Sequence, residues 1–235
     1  NNNGNLGLGN TTIYLSPKQV GALTTWSQVN GGETNSLAVQ TNGTLWAWGD
    51  NSFGQLGLSD VTHRSTPTQI GTSLWTQISA GSYYSLAIRT DNTLWAWGGN
   101  TNTQIGNNSN PNVSSPVQVG TGTWSTAVIS TTGHILAIAS NGTLFAWGNN
   151  TYQELGQNEL VISHRSSPVI IGNNADWTKI SVGSNFSLAI NATGGLYTWG
   201  RNDWGQLGKS TALSYTYVGS GIVSRNDGKV YTWGN

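Results

Sequence analysis

Three histidines are the side chains best suited to proton transfer near neutral pH, and two of them have an arginine beside them: His63-Arg64 and His164-Arg165. Both pairs stand four residues before a proline, Pro67 and Pro168, so they are one motif seen twice. That phase assigns them to a repeated surface loop rather than to catalysis. The third, His134, stands where other copies of the same stretch carry Asn35, Tyr84 and Phe186, which makes it a framework position rather than a general base. The acidic residues do not gather: Asp91 and Asp227 fall in turns, and Asp50 and Asp203 in loops. A glycosidase-type pair of carboxylates is therefore not marked by the sequence. Nor is a Ser/His/Asp set, a phosphate-binding loop or a metal-spaced histidine cluster. The chain has no cysteine, which excludes thiolate catalysis and Cys-ligated metal. The expectation is a protein that is not an enzyme, with no cofactor and no metal.

The residues that position these side chains belong to a repeat. Trp-Gly closes a hydrophobic strand five times, at Trp48-Gly49, Trp97-Gly98, Trp147-Gly148, Trp199-Gly200 and Trp233-Gly234, with spacings of 49, 50, 52 and 34 residues. A period of this size means one supersecondary unit copied several times, whose copies stack to bury a core. Each copy opens on a Trp (Trp26, Trp75, Trp124, Trp177) and continues into a Ser-Leu-Ala-Ile type strand. The turn residues Asn42-Gly43, Asp91-Asn92, Asn141-Gly142, Gly194-Gly195 and Asp227-Gly228 follow at one aligned place. They predict tight two-residue hairpins with positive φ at both central positions. Alternation in Leu45-Trp46-Ala47-Trp48 puts large rings on one face of the strand and small residues on the other. After Trp-Gly comes Gly54-Gln55-Leu56-Gly57, repeated in full at Gly205 to Gly208 and in part at Thr103 to Gly106 and Gln153 to Gly156. Pro67, Pro116 and Pro168 are read as starting a short outer strand, where a missing N–H costs little.

Composition bounds the partners. Charged residues make up 8% of the chain, nine basic against nine acidic, and Lys and Arg form no cluster. Nucleic acid and anionic membrane both need a positive footprint, so neither is expected as a partner. No apolar run reaches membrane-spanning length, and membrane insertion is not expected. Asn, Ser, Thr and Gly fill the surface role usually taken by Lys and Glu, a balance common in bacterial secreted and surface β-proteins. Met is absent even at position 1, so the chain is read as a processed product or as part of a larger chain or assembly.

The two ends share one phase. Trp233-Gly234-Asn235 followed by Asn1-Asn2-Asn3-Gly4-Asn5-Leu6-Gly7 reproduces the register of the internal loops, and Gly7 precedes Pro17 by ten residues, as Gly57 precedes Pro67. Residues 1–25 are thus expected to complete the unit begun by 209–235, making 1–235 one domain and closing a ring by pairing of the terminal segments. A whole number of units cut from a longer array has the same phase. In the fifth copy the Ser-Pro strand is missing between Gly208 and Tyr215.

Taken together, W-x-x-I-x-x-G-x-x-x-S-L-A-[IV], then D/N-G-x-L-W-A-W-G-x-N-x-x-G-Q-L-G, then S-x-P-x-Q-[IV]-G, resembles the repeat of the regulator of chromosome condensation family. The resemblance spans essentially the whole chain. It implies an all-β protein, a β-propeller with about one repeat per blade, here five units. In that family the position of His134 is often His. Functions there differ widely: an exchange factor for a small nuclear GTPase that also binds chromatin, scaffolds, ubiquitin-ligase appendages, and a bacterial secreted inhibitor of β-lactamases. None of these follows from the repeat itself.

Function is therefore sought where aligned positions disagree. One variable set follows Trp-Gly and contains Phe53, Asn102, Tyr152 and Trp204. Another precedes the Ser-Leu-Ala strand and contains Tyr83-Tyr84 and Gly133-His134. In a propeller these loops crowd one circular face, so Phe53, Tyr83, Tyr84, His134, Tyr152 and Trp204 are the candidate contacts for a protein partner. The reading that results is a non-catalytic protein-binding or structural propeller of a bacterial secreted or cell-surface protein. Its rivals are an enzyme inhibitor of the β-lactamase-inhibitor type and a carbohydrate-binding lectin. The lectin is disfavoured because the variable positions are not uniform from unit to unit. A nucleotide exchange factor is disfavoured because no basic tail is present.

Overall fold

The computed structural model describes residues 1–157 and 163–208, together with short strands at Thr216–Tyr217, Ile222–Ser224 and Val230–Thr232. Among the described residues every regular element is a β-strand, and every pairing is antiparallel. The first unit is β1 (Trp26–Gly31), β2 (Asn35–Gln40), β3 (Thr44–Gly49) and the leading part of β4 (Arg64–Ala80). The trailing part of β4 opens the second unit, followed by β5 (Tyr84–Arg89), β6 (Leu94–Gly98) and β7 (Val113–Gln118). The third is β8 (Trp124–Ile129), β9 (His134–Ala139), β10 (Leu144–Gly148) and β11 (Arg165–Ile170). The fourth is β12 (Trp177–Val182), β13 (Phe186–Asn191) and β14 (Leu196–Gly200). The strands at 216–217, 222–224 and 230–232, β15 to β17, form a separate three-stranded sheet. Because β4 runs unbroken from one unit into the next, the first two units are continuous as one seven-stranded sheet.

The hairpins are correctly located but differ in type from the expectation. The turn closes with Gly43 N–H donating to Gln40 O at 2.8 Å, and likewise Asn92 to Arg89, Gly142 to Ala139 and Gly194 to Asn191. Only one residue of each pair takes a positive φ: the second at Gly43, Asn92 and Gly142, and the first, Gly194, in the fourth unit, whose turn is therefore Thr193-Gly194. This is a longer loop ending in one left-handed residue, not a two-residue turn with two. The Asn42 and Asp91 side chains instead accept the N–H of Thr44 and Thr93, at 3.1 and 2.9 Å. The prolines also need correction. Pro116 is the fourth residue of β7 and Pro168 the fourth of β11, each opposite a register shift at the outer edge, where no ladder N–H is required.

Within each of the first three units the opening Trp meets the two rings of the Trp-Gly strand, and in the fourth Trp177 meets Tyr197. Trp75 lies 6.5 Å from Trp95 and 6.0 Å from Trp97, ring centre to ring centre, and Trp124 meets Phe145 and Trp147 at 5.1 and 6.1 Å. Leu45, Ala47, Leu94, Ala96, Leu144 and Ala146 point the other way and are buried, as the alternation requires. Burying one such large side chain is worth about 1.5–3 kcal/mol.

Neighbouring units are joined by one repeated contact. The indole N–H of Trp97 donates to Gln55 O (2.9 Å), that of Trp147 to Gln104 O (3.0 Å) and that of Trp199 to Glu154 O (2.7 Å). The N-terminal segment enters the same scheme, with Trp48 donating to Asn5 O at 2.9 Å. Residues 1–9 thus occupy, on the first unit, the place that 51–59 occupy on the second. Among the described residues, 10–25 carry no strand and β17 has β16 as its sheet neighbour, so ring closure by the terminal segments is not seen among them. The aligned turn at Asp227-Gly228 and the fifth Trp-Gly lie outside the described residues.

The glycine that ends each such loop lies against the indole of the next unit. A Cβ on Gly57 would come within 2.8 Å of Trp97 Nε1, and one on Gly106 within 2.5 Å of Trp147 Nε1, both at positive φ. Gly120 also has positive φ but nothing within 4 Å of a Cβ. Gly106→Ala is expected to lower unfolding free energy by about 3 kcal/mol and Gly120→Ala by about 1 kcal/mol, measured by chemical denaturation.

Candidate binding face

The loops after Trp-Gly are built by a buried asparagine. Asn51 Oδ1 accepts Leu56 N–H at 2.9 Å, while its Nδ2 donates to Asp60 O at 2.9 Å and Thr62 O at 3.2 Å. The same five-residue bridge recurs from Ile105 to Asn100, Leu155 to Asn150, Leu207 to Asn202 and Leu6 to Asn1. The Asn51 N–H donates to His63 Nδ1 at 3.0 Å, and Asn150 N–H to His164 Nδ1 at 3.1 Å. In the intervening unit Asn112 Oδ1 takes the same role for Asn100, at 3.0 Å. The two His-Arg motifs are therefore loop braces. Beside the first, burial pushes the Asp50 carboxyl up, but hydrogen bonds from Ser52 N and Oγ, both 2.7 Å, together with His63 and Asn3, leave it below the usual carboxylate range.

The variable residue of each loop is held by its backbone alone. Gln55 Oε1 accepts Phe53 N–H, Gln104 Oε1 accepts Asn102 N–H, Glu154 Oε2 accepts Tyr152 N–H and Gln206 Oε1 accepts Trp204 N–H, all at 2.8–2.9 Å. The side chain is then free to differ from unit to unit and points outward. Phe53 is 36% exposed, Tyr152 40% and Trp204 85%. Phe53 stacks on Tyr83 of the next unit, 5.0 Å between ring centres, and Tyr83 is itself 39% exposed. Tyr152 carries the Arg201 guanidinium 4.6 Å from its ring centre, and Arg201 Nε pairs with Asp203 Oδ2 at 2.5 Å.

Two of the six candidate contacts belong elsewhere. Tyr84 and His134 are buried between units and offer no surface to a partner. The Tyr84 hydroxyl donates to Thr131 O at 2.6 Å, and burial raises its pKa well above the ordinary phenol value. His134 Nε2 meets Ser187 Oγ at 3.1 Å, and burial pushes its pKa down to about 3, against a smaller opposing effect of the Phe186 backbone. Sequence reasoning grouped them with their exposed neighbours because adjacent residues in one loop share an alignment column, although their side chains leave in opposite directions. Among the described residues, no group of three His, Cys, Asp or Glu side chains is placed to hold a metal ion.

Contacts missed in the sequence also repeat. Ser27, Thr76, Ser125 and Thr178 each follow the opening Trp, sit at a register shift and donate a hydroxyl bond across to the second strand of their own unit. On the candidate face, Thr34 Oγ1 donates to Ser82 O and Ser82 Oγ to Thr131 O, and Thr132 Oγ1 donates to Ser184 O. The signal was available as a hydroxyl recurring at a fixed offset from each Trp.

Successive antiparallel sheets, joined loop to sheet and presenting their variable loops on one face, define a β-propeller type of repeat protein. The regulator of chromosome condensation (RCC1) repeat matches residues 42–88 and 141–190, and a second signature of the same repeat matches 26–55, 75–104 and 177–206. The chain belongs to this family. It is 35% identical over 79 residues to the X-linked retinitis pigmentosa GTPase regulator of Canis lupus familiaris, a match covering 30% of this chain and 7% of that protein. It is 38% identical over 72 residues to the ultraviolet-B receptor UVR8 of Arabidopsis thaliana, covering 30% of this chain and 16% of the receptor. Among solved structures, human WBSCR16 superposes with a TM-score of 0.75 at 19% identity, over 99% of this chain and 69% of that one. Prp20p from Saccharomyces cerevisiae, described with its binding properties to Gsp1p and histones, superposes with a TM-score of 0.66 at 22% identity, over 88% of this chain and 56% of that one.

Framework and display separate cleanly in this arrangement. Asn51→Ala is expected to lower stability by about 3 kcal/mol by leaving buried backbone groups unpaired, and Phe53→Ala by only about 1 kcal/mol, both measured by denaturant titration.

Proposed function

We propose that the chain is a non-catalytic protein-binding propeller of a bacterial secreted or cell-surface protein, with Phe53, Tyr83, Tyr152 and Trp204 as its contact residues. The observation that carries this reading is the row of exposed aromatic side chains on one face, each set on a backbone that its loop already satisfies. Large rings held on rigid supports give contact area at low entropic cost, the property of interface anchors. Family members include binders of proteins, as with Prp20p and Gsp1p. The low charge and lack of cysteine support an exported setting. The combined variant Phe53→Ala, Tyr83→Ala, Tyr152→Ala, Trp204→Ala is expected to lose at least tenfold in affinity for proteins captured by the native chain, measured by interferometry. A control at the opposite end, Thr93→Ala, is expected to retain them. Equal capture by both variants would refute the assignment.

We also propose that the ring closes within the chain, with residues 15–21 as the outer strand beside β17. In the units that have this pair, Trp46 faces Gln69, Trp95 faces Gln118 and Phe145 faces Ile170. Carried along the repeat, that register sets Gln19 opposite Tyr231. The cysteine-free chain makes this directly testable with Gln19→Cys and Tyr231→Cys together. Mild oxidation is expected to give a cross-linked monomer, whereas a cross-linked dimer or no link rejects closure.

A further inference from the structure

The seams between units share one frame and differ in the side chains that fill it. Where the first unit meets the second, the loop glutamine is Gln55 and its companion is Asn35, whose Nδ2 donates to Ser85 Oγ at 3.2 Å while Ser85 Oγ donates to Gln55 O at 2.8 Å. Where the second meets the third, the pair is Gln104 and Tyr84, and Ile135 replaces the serine. Where the third meets the fourth, the same positions hold Glu154 and His134 around Ser187. Ser187 Oγ donates to Glu154 O at 2.8 Å, so the imidazole donates to it from Nε2 at 3.1 Å. The geometry is that of the first seam with both neutral amides replaced by ionisable groups.

We infer that the seam between the third and fourth units is a pH-responsive joint, loosened when the buried Glu154 or His134 ionises.

Both side chains are fully buried, and each has one polar atom with no partner, Glu154 Oε1 and His134 Nδ1. Gln55 Nε2 and Asn35 Oδ1 in the first seam lack partners too, but an amide there forfeits only a hydrogen bond. An ion in the same place forfeits its hydration as well, a much larger penalty. Among the described residues no opposite charge bears on either group. On the loop, Tyr152 gives Glu154 only its backbone N–H, and His164 Nδ1 is taken up by Asn150 N–H. Beyond β14, Arg201 is committed to Asp203 and the Tyr152 ring. On β13 the facing groups are Phe186 and Ser187, and Lys179 of β12 is solvent-exposed. Burial raises the Glu154 pKa, with the backbone N–H groups of Glu154 and Tyr152 holding it back in part, and lowers that of His134 to about 3.

The signs follow from linkage. A carboxyl whose folded pKa is raised contributes its stability below the unfolded value, 4.5, and loses it as pH rises through the folded value. A histidine whose folded pKa is depressed contributes above the unfolded value, 6.5, and loses its contribution as pH falls toward about 3. Glu154 therefore gives stability a component that falls as pH rises above 4.5, and His134 one that falls as pH drops below 6.5; between those values the two oppose each other. Through Glu154 alone the opened fraction can grow up to tenfold per pH unit above 4.5 until Glu154 is ionised in the closed state too.

The chain's own repeats supply tolerated replacements: Glu154→Gln copies Gln55 and Gln104, and His134→Asn copies Asn35. Thermal midpoints between pH 3 and 9 should show Glu154→Gln removing the decline that sets in above 4.5 and His134→Asn removing the decline below 6.5. Glu33→Gln, an exposed carboxylate, should leave the pH profile unchanged. Hydrogen exchange at the Trp199 indole N–H, which donates to Glu154 O, reports whether the opening is local. Its protection should fall with rising pH in the native chain, beyond the intrinsic rate change, and hold in Glu154→Gln. A pH profile unaltered by Glu154→Gln, or Trp199 protection that falls equally in both proteins, would overturn the proposal.

Discussion

A single backbone carbonyl in each loop holds the assembly together. At Gln55, Gln104 and Glu154 it accepts the indole N–H of the next unit's tryptophan, and at Gln55 and Glu154 a serine hydroxyl as well. The glycine two residues on must be a glycine because the same indole fills the space its side chain would take. The loop glutamine must carry an acceptor to hold the preceding turn, and the asparagine before it must be buried to fix the loop's path. One contact between units thus dictates most of the W-G-x-N-x-x-G-Q-L-G pattern. The exception within the pattern, the residue whose backbone alone is used, is where sequence becomes free to vary.

The innermost strands show a related economy. The opening strand of each unit is an edge, and an edge with free N–H groups invites association. Here the preceding unit reaches across to cover it. Asn30 Oδ1 accepts Ala80 N–H at 2.8 Å, Gln77 Oε1 accepts Ala127 N–H at 2.8 Å and Ser79 Oγ accepts Ile129 N–H at 3.1 Å. Polar side chains on a strand otherwise built for burial are therefore not surface residues but caps for the next sheet. They also fix the angular step between units, since each reaches only one register of its neighbour.

Much of this was legible in the sequence because spacing is what a repeat preserves. Trp-Gly, the aligned turns and the alternation of Leu45-Trp46-Ala47-Trp48 located strands, hairpins and core correctly. What spacing does not carry is the conformation chosen within a short segment. Asn-Gly is compatible with two turn families, and the Asn42 and Asp91 side chains favour the longer one by accepting a backbone N–H two residues on. Nor does it carry side-chain direction: Tyr83 and Tyr84 are adjacent, yet one stacks on Phe53 in the open and the other reaches inward to Thr131. The continuity of β4 was equally invisible: its register against β3 shifts between Gln69, opposite Trp46, and Leu74, opposite Thr44, with Gly71 at positive φ in between.

The candidate face owes its character to this division. Its framework residues are small, polar and satisfied, as in the chain from Thr34 through Ser82 to Thr131, so the floor of the face is rigid without projecting. On that floor Phe53 leans on Tyr83 across one seam and Tyr152 on Arg201 across another. Each cluster therefore draws on two successive units, and its geometry depends on the seam beneath it. The Tyr152 cluster lies over the seam that holds Glu154 and His134, and Tyr152 N–H is itself bonded to the Glu154 carboxyl. The backbone N–H that carries the exposed Tyr152 ring is thus bonded to a carboxyl group. The Phe53 cluster stands over Gln55, where the corresponding acceptor is a neutral amide oxygen.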